Sequence, residues 1–166
     1  MRPARPRLLA VDFGDTRTGL AATDGSGTIV VPLPALRGLT DGACAAAIAA
    51  QARERGSAAI VVGLPLNSQG KVGARAKRTL EFVAELRKVA PCAVETVDET
   101  YSTDEAHERL KRGGLTAARR RALADSVAAM VICERYQRLC APKPEPPDQL
   151  PDDDGDFSPS DDGDGE

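Results

Sequence analysis

The first apolar run of the chain, Leu8–Val11, ends in Asp12 and predicts a strand that is covered on both faces and lies centrally in a sheet. Two further short apolar stretches follow at 18–23 and 28–31. The turn signal Asp24-Gly25-Ser26-Gly27 between them is typical of a hairpin. The pattern therefore predicts three antiparallel strands in a meander, with the first one innermost.

After this meander the pattern alternates between helices and short apolar runs, which predicts parallel strands joined by helical crossovers. The first predicted helix has Asp41 as its N-cap and ends at Gly56, and a strand follows at Ala58–Val62. A second helix is predicted at about 74–89, followed by a strand at Cys92–Val97. The third helix begins with the capping box Ser102–Glu105 and ends at Gly113-Gly114, and the fourth runs from about Thr116 to Leu139. The order βββαβαβαα fits a three-layer α/β domain. Its mixed five-stranded sheet has the order 3-2-1-4-5 and is flanked by helices.

The C-terminal part differs in composition from the rest. Four prolines between 142 and 147 end the last helix, and the Asp-, Gly- and Pro-rich sequence after them predicts a disordered acidic tail at 141–166, with one domain at 1–140. From Asp148 onward there are nine acidic residues and no Lys or Arg. The chain carries a net charge of −3, yet the part before Asp148 holds 22 basic and 16 acidic residues. The domain itself is basic, which suits a polyanionic partner.

We predict that this acidic tail competes with nucleic acid for the basic domain. Truncation at Pro147 is then expected to raise non-specific nucleic-acid affinity at low salt, because the tail no longer screens the basic residues. Filter binding of a mixed-sequence duplex to the full and truncated chains measures this. Equal affinities would contradict it.

The cysteines and the apolar segments of the chain indicate the cellular compartment in which we expect the protein. The four cysteines, Cys44, Cys92, Cys133 and Cys140, form no CxxC pair and no Cys/His cluster, which favours a reducing compartment and argues against a zinc site. No signal peptide and no apolar segment of about 20 residues is present, so we expect a soluble, cytoplasmic protein without a membrane partner, either monomer or homodimer.

Three acidic positions stand where a catalytic site is expected. Asp12 and the Asp98-Glu99 pair follow predicted parallel strands, the usual place for a site in an open α/β sheet. Which of Asp98 and Glu99 points inward is left open. At about 100° per residue, Asp125 lies on the apolar stripe of the last helix and should face the sheet. That stripe consists of Ala129, Ile132, Tyr136 and Leu139.

These carboxylates predict a metal site. Brought together they repel and raise one another's pKa, and a hard cation such as Mg²⁺ or Mn²⁺ relieves this. Two ions about 4 Å apart would activate water and stabilise the leaving oxygen of a phosphodiester, and one ion is the simpler case. The single histidine, His107, lies in a helix and is expected at the surface. The alternatives are that Asp12 only forms a turn with Gly14, and that Asp125 pairs with a buried Arg17.

Basic residues cluster at the starts of two predicted helices, where free backbone N–H groups favour phosphate. Cations in the first turn of the last helix lie next to the positive end of its dipole, and each destabilises the helix by about 0.3–1 kcal/mol. A bound phosphate would offset this destabilisation. With aromatic residues at only 3%, we expect contacts to the RNA or DNA backbone rather than base stacking. The alternative is a solvated basic surface. The candidate nucleic-acid-binding residues are Arg17, Lys71, Arg75, Lys77, Arg78, Lys111, Arg112, Arg119, Arg120 and Arg121.

Four motifs together resemble the YqgF (RuvX-like) family: LLAVDFGDTRTGLAATD, VVGLPLNSQGKVGARA, VDETYST and LADSVAAMVI. This family consists of RNase H-like proteins described as Holliday-junction resolvases and as nucleases that mature the 5′ end of pre-16S ribosomal RNA. The resemblance covers Leu8–Arg138. It implies an RNase H-like fold and a metal-dependent nuclease with its acidic site at Asp12, Glu99 and Asp125. One departure is Thr100, where the family usually has Arg.

Two other functions stay open. The motif DFGDTRTG also resembles the first phosphate loop of ATP-binding proteins of the actin and sugar-kinase type, although those proteins close two such domains over the nucleotide and this chain has room for one. A catalytically silent nucleic-acid-binding or regulatory module of the same fold is the other alternative.

Overall fold

Between residues 8 and 140, the described part of the chain forms nine helices and strands. The computed structural model describes residues 4–100, 102–114 and 116–141, and of residues 102–105, 107, 121 and 122 only the backbone. The strands are β1 (Leu8–Asp12), β2 (Arg17–Thr23), β3 (Val30–Arg37), β4 (Ala59–Leu64) and β5 (Ala93–Asp98), and the helices are α1 (Asp41–Arg55), α2 (Ala74–Val89), α3 (Ser102–Arg112) and α4 (Ala117–Cys140). The predicted capping box, the placement of His107 and the acidic tail lie outside these described residues and side chains.

The five strands form one mixed sheet in the order β3-β2-β1-β4-β5, which confirms the predicted order. β1 pairs antiparallel with β2 and parallel with β4, which in turn pairs parallel with β5. Helices α1 and α2 pack together, and α4 packs against β1, β2 and β3. In the described part of the chain, no helix combines the length and the apolar character that a bilayer crossing requires.

Side chains of β1 alternate between two cores. Leu9 and Val11 pack in the cluster that α1 and α2 cover, whereas Leu8 and Ala10 pack in the cluster that α4 covers. All four are essentially inaccessible to solvent, so β1 is buried on both faces as predicted. Because Asp12 continues the even-numbered side, it faces α4.

The third strand differs from its predicted extent. It spans Val30–Arg37 and includes Pro32 and Pro34, which the sequence pattern treated as the end of the strand. Proline is tolerated here because β3 is an edge strand, where one side of the backbone has no partner.

Two predictions about helices are wrong in detail. The N-cap of α1 is Thr40, whose hydroxyl accepts the N–H of Ala43 at 3.2 Å, and Asp41 is the first helical residue. Leu139 is 73% exposed, so the buried stripe of α4 ends at the half-buried Tyr136.

Candidate active site

Asp12 and Asp125 are brought together by a missing side chain. Gly19 of β2 lies directly beside Asp12 in the sheet. A Cβ atom at Gly19 would lie 2.0 Å from the backbone oxygen of Asp125, so α4 touches the sheet at this point. The next residue of α4, Ser126, donates its hydroxyl to the carbonyl oxygen of Leu33 at 2.7 Å in the buried interior. These two contacts fix the backbone that carries Asp125.

Glu99 approaches Asp12 from the other side, again over a glycine. It follows β5 directly, and its N–H donates to the carbonyl oxygen of Leu64 at 3.1 Å. A Cβ atom at Gly63 of β4 would lie 2.6 Å from Glu99 Oε2 and 2.5 Å from Ile132 Cδ1. The carboxylate of Glu99 therefore lies over Gly63, in space that any other residue would fill.

The neighbouring Asp98 has a different role. Its carboxylate accepts the backbone N–H of Thr100 at 2.8 Å and also its hydroxyl. Its carbonyl oxygen accepts a hydrogen bond from Arg135 of α4 at 3.1 Å. Asp98 thus closes the turn after β5, and Glu99 is the member of the pair that points inward. Thr100 fixes Asp98 rather than projecting a cation.

The three carboxylates line one cavity of about 410 Å³, together with Arg17 and Arg75. Burial raises the pKa of Asp12 to about 8, and the charges of Glu99 and Asp125 add to this effect while Arg75 opposes it. Burial also raises the pKa of Glu99, although its hydrogen bond with Asp12 acts in the opposite direction. At neutral pH the Asp12–Glu99 pair consequently holds a shared proton.

The third carboxylate has a cation beside it. Arg17 Nε lies 3.4 Å from Asp125 Oδ2, with the two side chains 46% and 22% exposed. This is the pairing considered as an alternative from the sequence, except that Arg17 is half-exposed rather than buried. Among the residues described, no three His, Cys, Asp or Glu side chains are gathered closely enough to hold a metal ion.

Two carboxylate oxygens are nevertheless unsatisfied. Glu99 Oε2 and Asp125 Oδ2 are buried and have no hydrogen-bond partner in the described part of the chain. The contact between Arg17 and Asp125 is an ion pair without hydrogen-bond geometry. Buried acceptors without donors are unfavourable by roughly 1–3 kcal/mol each, more when charged, so the cavity favours an added proton or cation.

The predicted cations separate into groups. Arg17 and Arg75 line the cavity. Arg78 lies in an adjacent groove of about 230 Å³, where Asp41 binds its guanidinium at 2.7 and 2.8 Å and its charge lies over the ring of Phe13. Six other predicted cations do not line the cavity, since Lys71, Lys77, Lys111, Arg112 and Arg119 are exposed elsewhere and Arg120 is half-buried. The side chain of Arg121 lies outside the described set.

Gly19 and Gly63 are the positions that sequence reasoning missed. Each is a single glycine inside an otherwise apolar strand, which is a known signal for close backbone approach. Here the two approaches flank Asp12 and admit Asp125 on one side and Glu99 on the other. The glycines thus shape the cavity without contributing a side chain.

A five-stranded mixed sheet in this order, with acids at two strand ends and a third on the covering helix, is an α/β fold of the RNase H-like class. Residues 6–138 match the family model of RuvX, described as Holliday junction resolvase. The chain belongs to this family, which confirms the resemblance seen in its motifs.

Two curated relatives agree with this assignment, and a solved structure shares the fold. A protein of Kineococcus radiotolerans is 43% identical over 128 residues, covering 76% of this chain and 68% of the relative. One of Anaeromyxobacter sp. strain Fw109-5 is 41% identical over 130 residues, covering 78% and 95%. Both are named "Putative pre-16S rRNA nuclease". The structure of T. thermophilus RuvC in complex with a Holliday junction substrate shares the fold, with a TM-score of 0.53 and 19% identity over 82% of this chain and 97% of that one.

Proposed function

We propose that this protein is a metal-dependent nuclease that hydrolyses phosphodiester bonds in structured nucleic acid, with the 5′ end of pre-16S ribosomal RNA as its substrate. The names of the two curated relatives support the RNA substrate. The family description favours branched DNA as a second candidate. The observation that carries the proposal is the convergence of Asp12, Glu99 and Asp125 on one cavity, with two of their oxygens lacking donors.

The three carboxylates fit one or two Mg²⁺ or Mn²⁺ ions by the chemistry of their oxygen donors, and to share an ion they would have to move closer together than they lie in the metal-free site. The donor set consists of carboxylate oxygens, which these cations prefer. Asp12, Glu99 and Asp125 would hold the metal, and Glu99 Oε2 and Asp125 Oδ2 are free to act as ligands. When bound, the metal would activate a water molecule and stabilise the leaving oxygen of the phosphodiester.

The chain's own residues bind and orient the substrate. Arg17 and Arg75 line the cavity beside the three acids, so a phosphate entering there meets two guanidinium groups. Phe13 also lines the cavity, but its ring is stacked on Phe82 with the centroids 4.0 Å apart. With only 8% of Phe13 exposed as well, little of its ring is open to a base, and recognition depends on the sugar-phosphate backbone.

We expect cleavage of an end-labelled pre-16S 5′ precursor in Mn²⁺ or Mg²⁺ and none with excess chelator. Glu99→Gln and Asp125→Asn should each lower the rate by at least about a hundredfold, because each removes a charged group next to the reacting phosphate. Glu54→Gln, a matched change at an exposed position of α1, is the control. A four-way DNA junction run in parallel compares the two substrates.

This cleavage assay, together with binding measurements for nucleic acid and for ATP, distinguishes the proposed nuclease from the two alternative functions. Activity that survives both acidic substitutions would contradict the proposal. Metal-independent binding without cleavage would favour the silent module. Saturable ATP binding without cleavage would favour the sugar-kinase type of protein, which the family membership already makes the weaker alternative.

A further inference from the structure

The position of Arg17 follows from the sheet rather than from its own side-chain contacts. It begins β2 and lies two residues before Gly19, so the pleat directs both toward α4. The turn before β2 is tight, since a Cβ atom at Gly14 would lie 2.4 Å from the carbonyl oxygen of Arg17. Because Asp125 lies against Gly19, the next side chain along this face of β2 reaches Asp125.

The contact itself is weak for an ion pair. Charge-assisted N–H···O hydrogen bonds span about 2.7–2.9 Å, whereas Arg17 Nε lies 3.4 Å from Asp125 Oδ2, and that oxygen has no hydrogen-bond partner among the described residues. The guanidinium compensates the charge of Asp125 but donates no hydrogen bond to its Oδ2 atom. With 46% of its side chain exposed, Arg17 has an open path into the cavity and to solvent.

We propose that Arg17 is an exchangeable counter-ion: it neutralises Asp125 in the metal-free protein and transfers to a substrate phosphate when a divalent cation binds Asp125. This inference rests on the proposed function, because it requires the acidic cavity to bind a metal. Arg17 then contacts the substrate directly and links metal binding to nucleic-acid binding.

The consequence is cooperativity between the two ligands. A metal ion that binds alone has to displace Arg17, and a phosphate that takes Arg17 alone leaves Asp125 without a counter-charge. When both bind, the metal replaces Arg17 as the counter-charge of Asp125, and the phosphate replaces Asp125 as the partner of Arg17. The coupling is reciprocal, so metal strengthens nucleic-acid binding by the same factor as nucleic acid strengthens metal binding.

The first test measures Mn²⁺ binding to the full chain without nucleic acid, by electron paramagnetic resonance. Arg17→Gln is expected to bind Mn²⁺ about tenfold more tightly than the wild type, because no cation competes for Asp125. Arg17→Lys keeps the charge and should stay close to the wild type. Arg37→Gln is the matched control, since Arg37 lies directly across from Arg17 on β3 and loses the same charge.

The second test measures binding of a four-way DNA junction with and without Ca²⁺, with a denaturing gel to verify that the strands stay intact. In the wild type the metal should lower the dissociation constant of the junction about tenfold. It should also steepen the slope of the logarithm of the binding constant against that of the salt concentration by about one, as one additional phosphate contact would. In Arg17→Gln both effects should disappear. A purely structural role of Arg17 would weaken binding equally with and without metal.

The outcomes separate this inference from the proposed function. If Arg17→Gln binds Mn²⁺ no more tightly than the wild type, while Asp12→Asn abolishes the wild-type binding, the counter-ion role is wrong and the metal-dependent nuclease stands. If neither the wild type nor Arg17→Gln binds Mn²⁺ at millimolar concentration, both are overturned.

Discussion

Replacing Asp12 by asparagine is expected to abolish cleavage and, at the same time, to make the metal-free protein more stable at alkaline pH. The loss of activity should reach about a thousandfold, since this change removes the central one of three proposed metal ligands. The gain in stability arises because Asp12 is a buried carboxyl group beside a second carboxyl group, Glu99. An asparagine amide can donate to Glu99 at any pH, whereas ionised Asp12 repels it.

The direction in which the free energy of unfolding changes with pH depends on the number of protons that the folded and the unfolded states bind. Asp12 has a pKa of about 8 in the folded protein and 3.8 as an ordinary carboxyl group. Between these values the folded state holds a proton that the unfolded state has released, so the free energy of unfolding falls as pH rises through this window. The slope is at most about 1.4 kcal/mol per pH unit. Asp12→Asn removes this slope and should gain about 1–3 kcal/mol at about pH 8.

Urea unfolding in chelator, at about pH 5 and at about pH 8, measures this effect. The difference between the wild type and Asp12→Asn should be small at the lower pH and large at the higher one. Glu54→Gln on α1 should follow the wild type at both. An Asp12→Asn variant less stable than the wild type at the higher pH would show that Asp12 is not held as a protonated acid in the metal-free site.

Gly19→Ala is expected to destabilise the protein by about 3 kcal/mol, at the upper end of the range for overpacked interiors. The added methyl group would lie 2.0 Å from the Asp125 backbone oxygen and 2.9 Å from its Cβ atom. Backbone on both sides cannot rotate away as a long side chain could, so α4 has to retreat from β2. The same movement takes Asp125 away from Asp12, and cleavage should fall with stability.

Gly42→Ala is the control for this substitution. Gly42 lies in the first turn of α1, and a Cβ atom there would meet nothing within 4 Å. Alanine should leave the stability unchanged or raise it by up to about 1 kcal/mol. Thermal unfolding of the two variants compares them directly. If Gly19→Ala is as stable as Gly42→Ala, the close contact between β2 and α4 is wrong.

The fold was largely predictable because its central strand is distinctive. The apolar run Leu8–Val11 and the helical crossovers together specify which strands neighbour it and in which direction. The extent of β3 was not predictable, because Pro32 and Pro34 are strand terminators in a central strand and acceptable in an edge strand. Edge position is a property of the completed sheet rather than of the local sequence.

The candidate site was predictable where periodicity decides orientation. The helical period placed Asp125 on the sheet-facing side of α4, and the end of an apolar run located Asp12. The choice between Asp98 and Glu99 could not be made, since it depends on the last paired residue of β5 and on the space above Gly63. The catalytic and binding roles of these residues stay predictions.

The basic residues were harder to judge, because a count of charges along helices does not tell which ones reach a given cavity. Arg17 and Arg75 do, while Arg78 is engaged by Asp41 on α1. That pairing joins residues 37 positions apart and has no local signal. The Arg17–Asp125 contact spans an even longer stretch of the sequence, which allowed it only as an alternative.

The two prolines of β3 also decide how copies of this chain can associate. Pro32 lies opposite Ala21 within the paired region of the sheet, so its nitrogen faces outward, and Pro34 lies in the stretch between Leu33 and Leu36 where the pairing register shifts. Neither nitrogen carries a hydrogen, so neither residue can donate a backbone hydrogen bond to an incoming strand. An incoming extended segment finds only acceptors there. Growth of the sheet from one molecule into the next is therefore disfavoured at that rim.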